Sequence, residues 1–192
     1  MSDNELQLAG ISAAGADGTG LLWMAPTGST APVDSGTALA AAWKNMGGLT
    51  EAGVSIKNET STKDFKIYGS TAIQRTLVTE QKTSIEVTYA ELNQYSAAVF
   101  FRQGLTAITP AASTGVFEVT SGTYTRQLYA AVVDMIDGTN RLRFYFPQVE
   151  VTDQGDLNIA NGERIEFQVT LSAYPNSVGV TYQVFAAIPA LG

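Results

Sequence analysis

The side chains best able to hold a ligand are Asp153, Asp156, Asn158 and Glu163, which flank Asn161-Gly162. Oxygen donors of this kind bind calcium, but their spacing does not match the calcium-loop pattern, so they read as a solvated turn between strands. Residues 15–20, Gly-Ala-Asp-Gly-Thr-Gly, have the composition of a phosphate loop. They lack a preceding strand, a following helix and a lysine, and read as arm glycines instead. Asn58-Glu59-Thr60 fits the glycosylation pattern, with no secretion signal ahead of it. Ser12, Ser29 and Ser35 lie in loops, yet the chain has no histidine to activate them, no Gly-x-Ser-x-Gly and no cysteine. The commonest general base and metal ligand is therefore missing, together with every thiolate. No carboxylate pair stands out as a glycosidase pair. Trp23, Trp43, Tyr95, Phe100, Phe101, Phe144 and Phe146 could build a sugar platform, although aromatics at alternating positions of a β-rich chain more often fill a core. These residues point to no catalytic, cofactor or metal site, and to a chain that is not an enzyme.

Charge narrows the choice further. Lys and Arg number 11 against 18 Asp and Glu, a formal net charge of −7, which repels phosphate rather than gripping it. The N-terminus carries acid where a secretory signal carries base, and the longest apolar runs fall far short of the ~18–20 residues of a membrane span. A soluble protein made in the cytoplasm, with no membrane partner, is the expectation. With 192 residues, 45% of them apolar, the chain can bury a core in a single domain, residues 1–192, without disulfides.

The elements that must position any site are mostly strands. Residues 1–20 read as an N-terminal arm, residues 21–24 as a first strand, and residues 26–48 as a long loop with one helical turn. Arm and loop are expected to gain order from a neighbouring molecule. From Thr50 the period becomes two, with a hairpin turning at residues 58–62 and further strands at residues 72–79 and 83–89. Val54, Ile56, Phe65, Ile67, Ile85, Val87 and Tyr89 fall on one face, the core face. Glu51, Ser55, Lys57, Asp64, Lys66, Ser84, Glu86 and Thr88 fall on the other. Residues 91–102 form the one convincing helix, with Glu91 in its first turn, Arg102 in its last and Gly104 just beyond. Strands resume at residues 116–120, 127–136, 141–151, 164–174 and 181–187, with Asp137-Gly138 as a hairpin turn. The fold class is mainly β, a sandwich or open barrel with one flanking helix.

Residues 43–104 resemble the central part of phage tail tube proteins of long-tailed, non-contractile phages. The resemblance rests on Ala42-Trp43-Lys44-Asn45-Met46-Gly47-Gly48-Leu49, Gly53-Val54-Ser55 and Lys63-Asp64-Phe65-Lys66-Ile67-Tyr68-Gly69. It continues through Thr83-Ser84-Ile85-Glu86-Val87-Thr88-Tyr89 into a helix ending at Gly104. It implies a virion protein forming hexameric rings in which strands of each subunit close a wide barrel around a lumen. Arm 1–20 and loop 26–48 then stack the rings. The implied partners are further copies of the chain, a tape measure protein, and tail terminator and tip proteins, with DNA passing through the lumen without specific binding. The implied site is the virion tail, assembled in the host cytoplasm. Glu51, Ser55, Asp64, Lys66, Ser84, Glu86 and Thr88 are the expected lumen-facing residues, with Lys57 and Lys66 either paired to carboxylates such as Asp64 or Glu86 or placed near the hairpin tip. Alternative readings are a capsid decoration or tail terminator protein, and a carbohydrate-binding β-sandwich adhesin.

Overall fold

The computed structural model describes residues 21–120, 122, 125–137, 139–157, 159, 161 and 165–188. The expected arm at residues 1–20, with its glycine-rich segment and Ser12, lies outside them, as do Gly138, Asn158, Gly162 and Glu163. Among the described residues eight strands and one helix follow in chain order: β1 (Leu22–Pro26), β2 (Lys44–Asn45), β3 (Leu49–Lys66), β4 (Ile73–Tyr89), α1 (Gln94–Phe100), β5 (Tyr129–Asp137), β6 (Asn140–Gln154), β7 (Phe167–Ala173) and β8 (Gln183–Ala187). All strands join one antiparallel sheet in the order β2-β1-β5-β6-β7-β4-β3, and β8 pairs with the first half of β6. The mainly-β fold with one helix is thus present, as a single open sheet.

That sheet is strongly curled. Laid flat, seven strands spaced ~4.8 Å apart would set β2 and β3 ~29 Å from each other. Only Met46, Gly47 and Gly48 connect Asn45 to Leu49, however, and such a link reaches ~14 Å at most. The two edges therefore meet at this link, which gives the open-barrel form. The link passes close beneath the start of the helix: a Cβ on Gly47, whose φ is +87°, would lie 3.0 Å from the Asn93 amide nitrogen, and one on Gly48 would lie 3.0 Å from Glu91 Cδ.

The hairpin of β3 and β4 departs from the sequence-based expectation. Four short strands were to be separated by turns, but residues 49–66 and 73–89 are two long ones, and the chain turns at residues 67–72. Asn58, Glu59, Thr60 and Ser61 pair with Thr83, Lys82, Gln81 and Glu80 instead of turning. They are polar because both faces of the hairpin stand in solvent there. Phe65 and Ile67, expected in the core, are 44% and 62% exposed.

The concave face holds the main core: Leu22 and Met24 of β1, Ile85, Val87 and Tyr89 of β4, Tyr129, Ala131 and Val133 of β5, Phe146, Val149 and Val151 of β6, and Val169 and Leu171 of β7, packed with Val99 and Phe100 of the helix. The helix is shorter than the expected 91–102. Asn93 is its N-cap, accepting from the Tyr95 and Ser96 N–H groups, while Ser96 Oγ accepts from the Asn93 N–H. Glu91 and Arg102 lie outside it: Glu91 Oε2 accepts from the Gly48 N–H, and Arg102 follows the C-cap at a φ of +55°. Residues 116–120 form no strand; Phe117 and Val119 pack against Ala97, Ala98 and Ile108 on the outer side of the helix.

Residues 27–43 cross the convex face over β1, β5 and β6. Trp43 is buried against Ala25, Ala130, Val132 and Tyr145, with its ring edge-on to Tyr145 at 6.0 Å, and its Nε1 donates to Thr30 O. The segment contains no helix; at the end of its alanine-rich stretch the chain makes a single hydrogen-bonded turn, with Trp43 N–H donating to Ala40 O at 2.9 Å. Arg143 of β6 anchors the segment within the subunit. Arg143 binds Asp134 through two hydrogen bonds, of 2.6 and 2.9 Å, and its Nη1 donates to the carbonyls of Asp34 and Thr37 at 2.9 Å each.

Candidate assembly surface and polar sheet face

Loop 27–43 covers one half of the convex face and leaves the half over β3, β4 and β7 open. The register fixes which side chains stand there. Ser55 pairs with Glu86 and Lys57 with Ser84; Ser84, Glu86 and Thr88 pair in turn with Ser172, Thr170 and Gln168 of β7. Residues opposite one another share a face, so this open half is hydroxyl- and amide-rich. Thr152 extends it onto β6, with its Oγ1 3.0 Å from Ser172 Oγ.

The charges on this face are paired. Lys57 Nζ lies 2.6 Å from Glu86 Oε1, meeting the expectation for Lys57. At the other margin Arg126 Nε donates to Glu150 Oε2 at 3.0 Å, with its guanidinium 5.4 Å from the centre of the Tyr174 ring. Burial and the neighbouring Glu150 carboxylate hold the Tyr174 phenol above its ordinary pKa, partly offset by Arg126. Ser84 and Ser172 are buried between the neighbouring strands at 5% exposure each.

The seven sequence-predicted lumen residues do not share this face. Ser55, Ser84, Glu86 and Thr88 do. No extra residue is inserted in β3 between Val54 and Lys66, since the irregularities near Ser61 and Phe65 add residues to β4. Alternation therefore carries Asp64 and Lys66 to the side of Ile56, and Phe65 to the side of Lys57. Asp64 pairs with Thr76 and accepts from its hydroxyl at 2.7 Å. Glu51 is exposed in an irregular stretch between Leu49 and Val54, where Gly53 takes a φ of +65°. Gln168, Thr170 and Ser172 were not singled out in the sequence, although their alternation with Phe167, Val169 and Leu171 is plain there.

Beyond Thr83 the hairpin leaves the rest of the sheet. Residues 57–66 and 73–82 pair only with each other among the described residues, so one backbone edge is open on each side. Toward the tip the polar surface gives way to an apolar one, with Tyr68 fully exposed and Ile73, Leu77 and Val78 each 41% exposed or more. Open edges and exposed apolar side chains are what a strand-mediated contact with another chain requires.

The other candidates carry less. Among the described residues no three His, Cys, Asp or Glu side chains are grouped to hold a metal ion. Trp43, Phe100 and Phe146 are buried, while Trp23, Tyr95, Phe101 and Phe144 pack partly buried against the cores, so the seven aromatics form no exposed platform. A shallow groove of about 450 Å3 opens beside the helix start, between Tyr95, Pro110 and Phe117. The Asn93 amide on its rim is already committed to capping and to Asn45 O.

No curated protein matches the chain. Among solved structures, it is similar to a chain from the virion of a native gene transfer agent particle, at 8% identity and a TM-score of 0.42, covering 88% of this chain and 96% of that one. The family described as phage tail tube protein matches residues 12–184, nearly the whole length. A β-rich chain with one small helix and a long hairpin of open edges, matched over that span, belongs to the phage tail tube protein family and is a structural component of the virion tail.

Proposed function

We propose that the chain is the major tail tube subunit of a long-tailed, non-contractile phage, polymerising as stacked hexameric rings around a channel for DNA ejection. The observation that carries this reading is the hairpin of β3 and β4, whose distal halves pair only with each other among the described residues. A hairpin open on both sides can pair its β3 edge with the β4 edge of the next copy, and repetition of that one contact closes a ring. In the closed barrel the concave face is core, so the hydroxyl-rich convex face of Ser55, Ser84, Glu86, Thr88, Gln168, Thr170 and Ser172 lines the lumen. Asp64 and Lys66 belong to the opposite side, and Glu51 to the barrel's rim. A tape measure protein inside the lumen, and terminator and tip proteins at the tube ends, are the partners this reading requires.

Electron microscopy of the purified chain tests it. Rings that stack into tubes with a central channel are expected, whereas trimers or monomers at every concentration would favour a decoration protein and refute the reading. Saturable binding of a glycan with no assembly would favour an adhesin instead.

A further inference from the structure

The helix closes the concave face at one end only. Near Gln154, Val99 and Phe100 pack into the core, and the Gln154 side-chain amide donates to Phe100 O. Along β6 away from that end, Val151, Val149 and Phe146 are buried, whereas Phe144 and Leu142 are only partly so. Strand β5 repeats the trend, from buried Tyr129, Ala131 and Val133 to partly exposed Met135. Strand β8 carries the same face outward: Val184 lies opposite Phe144, Ala186 opposite Leu142, and the Tyr182 ring 5.8 Å from that of Phe146. Tyr182 and Val184 are 37% and 46% exposed. Residues opposite one another share a face, so Met135, Leu142, Phe144, Tyr182 and Val184 form one apolar patch across β5, β6 and β8, beyond the cover of the helix.

We infer that this patch is the seat of the chain's own N-terminal segment, with Leu6, Leu8 and Ile11 packed on it. Leu21 O accepts from the Asp134 N–H, so the residues before Leu21 leave β1 beside Met135, at the margin of the patch. From Gly20 back to Ile11 the chain can span ~30 Å, whereas β5 and β8 lie ~10 Å apart on either side of β6. Leu6, Leu8 and Ile11 are the only branched aliphatic side chains in residues 1–20, and the stretch between Ile11 and Leu21 has no bulky one. Exposed apolar surface favours such a cover. On so short a tether these side chains meet the patch at an effective concentration on the order of millimolar, far above that of a second copy's segment in dilute solution. All three precede the span that matches the tail tube family, residues 12–184, so the family match does not imply this contact. The inference does not rest on the tube reading, and it seats the segment on its own subunit, where the resemblance implies a neighbouring ring.

The chain has no cysteine, so Val184→Cys places a single reactive thiol on the patch. Unassembled full-length subunits carrying it should react with a maleimide at least tenfold more slowly than the same variant lacking residues 1–11. Adding Leu6→Ser/Leu8→Ser/Ile11→Ser to the full-length variant should raise its rate to that of the shortened chain. Ala186→Cys, on the same face, repeats the measurement with Val184 intact, and circular dichroism checks that each variant keeps its sheet. The protection should not change on dilution, and an excess of wild-type chain should leave the shortened variant as reactive as before. Equal rates with and without residues 1–11 at both positions would overturn the inference. Protection of the shortened variant by added wild-type chain would overturn it too, because a second copy's segment would then be the occupant.

Discussion

Replacing Arg143 with methionine should loosen a loop more than 100 residues away in sequence, at a cost far above that of a surface substitution. The Arg143 side chain is 7% exposed and that of its partner Asp134 14%, so water screens the pair little. Removing one member of a buried ion pair costs ~3–5 kcal/mol, because the other charge stays buried without its partner. The carbonyls of Asp34 and Thr37 lose their donor as well, but the loop can turn them to water once released, so they add little. For a chain of this length, that cost corresponds to a fall in melting temperature of roughly 6–20 °C. The double variant Arg143→Met/Asp134→Leu removes the orphaned carboxylate and should regain ~2 kcal/mol or more of the loss. Urea unfolding of unassembled subunits reads the stability, and limited proteolysis within residues 27–43 reads the release of the loop. A loss under ~0.5 kcal/mol for the single variant, with the loop no more cleavable than before, would refute the clamp.

Outcomes at four further residues follow from the same structure. The Tyr89 hydroxyl is fully buried without a hydrogen-bond partner among the described residues, so Tyr89→Phe should be neutral or raise the urea midpoint, where a loss of ~1 kcal/mol would reveal a missed partner. Burial also raises the Tyr89 pKa, so its contribution is full below the ordinary tyrosine pKa of ~10 and should fall away as pH rises beyond it, seen as alkaline unfolding that Tyr89→Phe delays. Asn93→Ala removes the N-cap and should cost ~0.5–2 kcal/mol, with Asn93→Ser recovering most of it in the same urea assay. Asp34 is held below the usual carboxylate range by the Thr37 hydroxyl and the Thr37 and Gly36 N–H groups; its turn should persist above pH ~4 and open below it, seen as proteolysis near Asp34 that the Asp34→Ala variant shows already at neutral pH. Glu86→Gln leaves Lys57 without its carboxylate, so tubes of this variant should slow DNA passage at low salt and recover as salt is added; equal rates at every salt concentration would remove these two side chains from the lumen.

Most strands were legible because burial on one face leaves a two-residue period. Residues 127–136 and 141–151 were expected and Tyr129–Asp137 and Asn140–Gln154 found. The same logic failed in the hairpin, where Asn58 to Ser61 lie in strand with both faces exposed. With no apolar side to show the period, their polarity imitated a turn. That error had a second effect. A turn at 58–62 restarts the alternation, whereas an unbroken strand continues it, so Asp64, Phe65 and Lys66 were each assigned to the wrong face. Glu91 looked like a first-turn acid and is bound to Gly48, a contact between residues 43 apart that local spacing cannot reveal. The anchoring of residues 27–43 is hidden for the same reason, since Arg143 sits on a strand the loop meets only in the folded sheet.

Where the charges lie changes the account of a DNA channel that net charge alone suggests. Residues 49–89 contain five lysines and arginines and five carboxylates, which leaves the whole −7 to the remainder of the chain, with six cations and thirteen carboxylates. On the open convex face, moreover, Lys57 is bound to Glu86 and Arg126 to Glu150, and the side chains between them are serine, threonine and glutamine. A lumen built from that face repels DNA only weakly at short range, because each carboxylate is neutralised by its own partner. What it lacks is an array of unpaired cations, and such arrays are what give a protein its salt-dependent grip on phosphate. Hydroxyl and amide groups can exchange hydrogen bonds between water and a passing phosphate at little net cost. In the proposed channel DNA therefore slides because nothing holds it, and the acidic surplus of the chain lies elsewhere on the subunit.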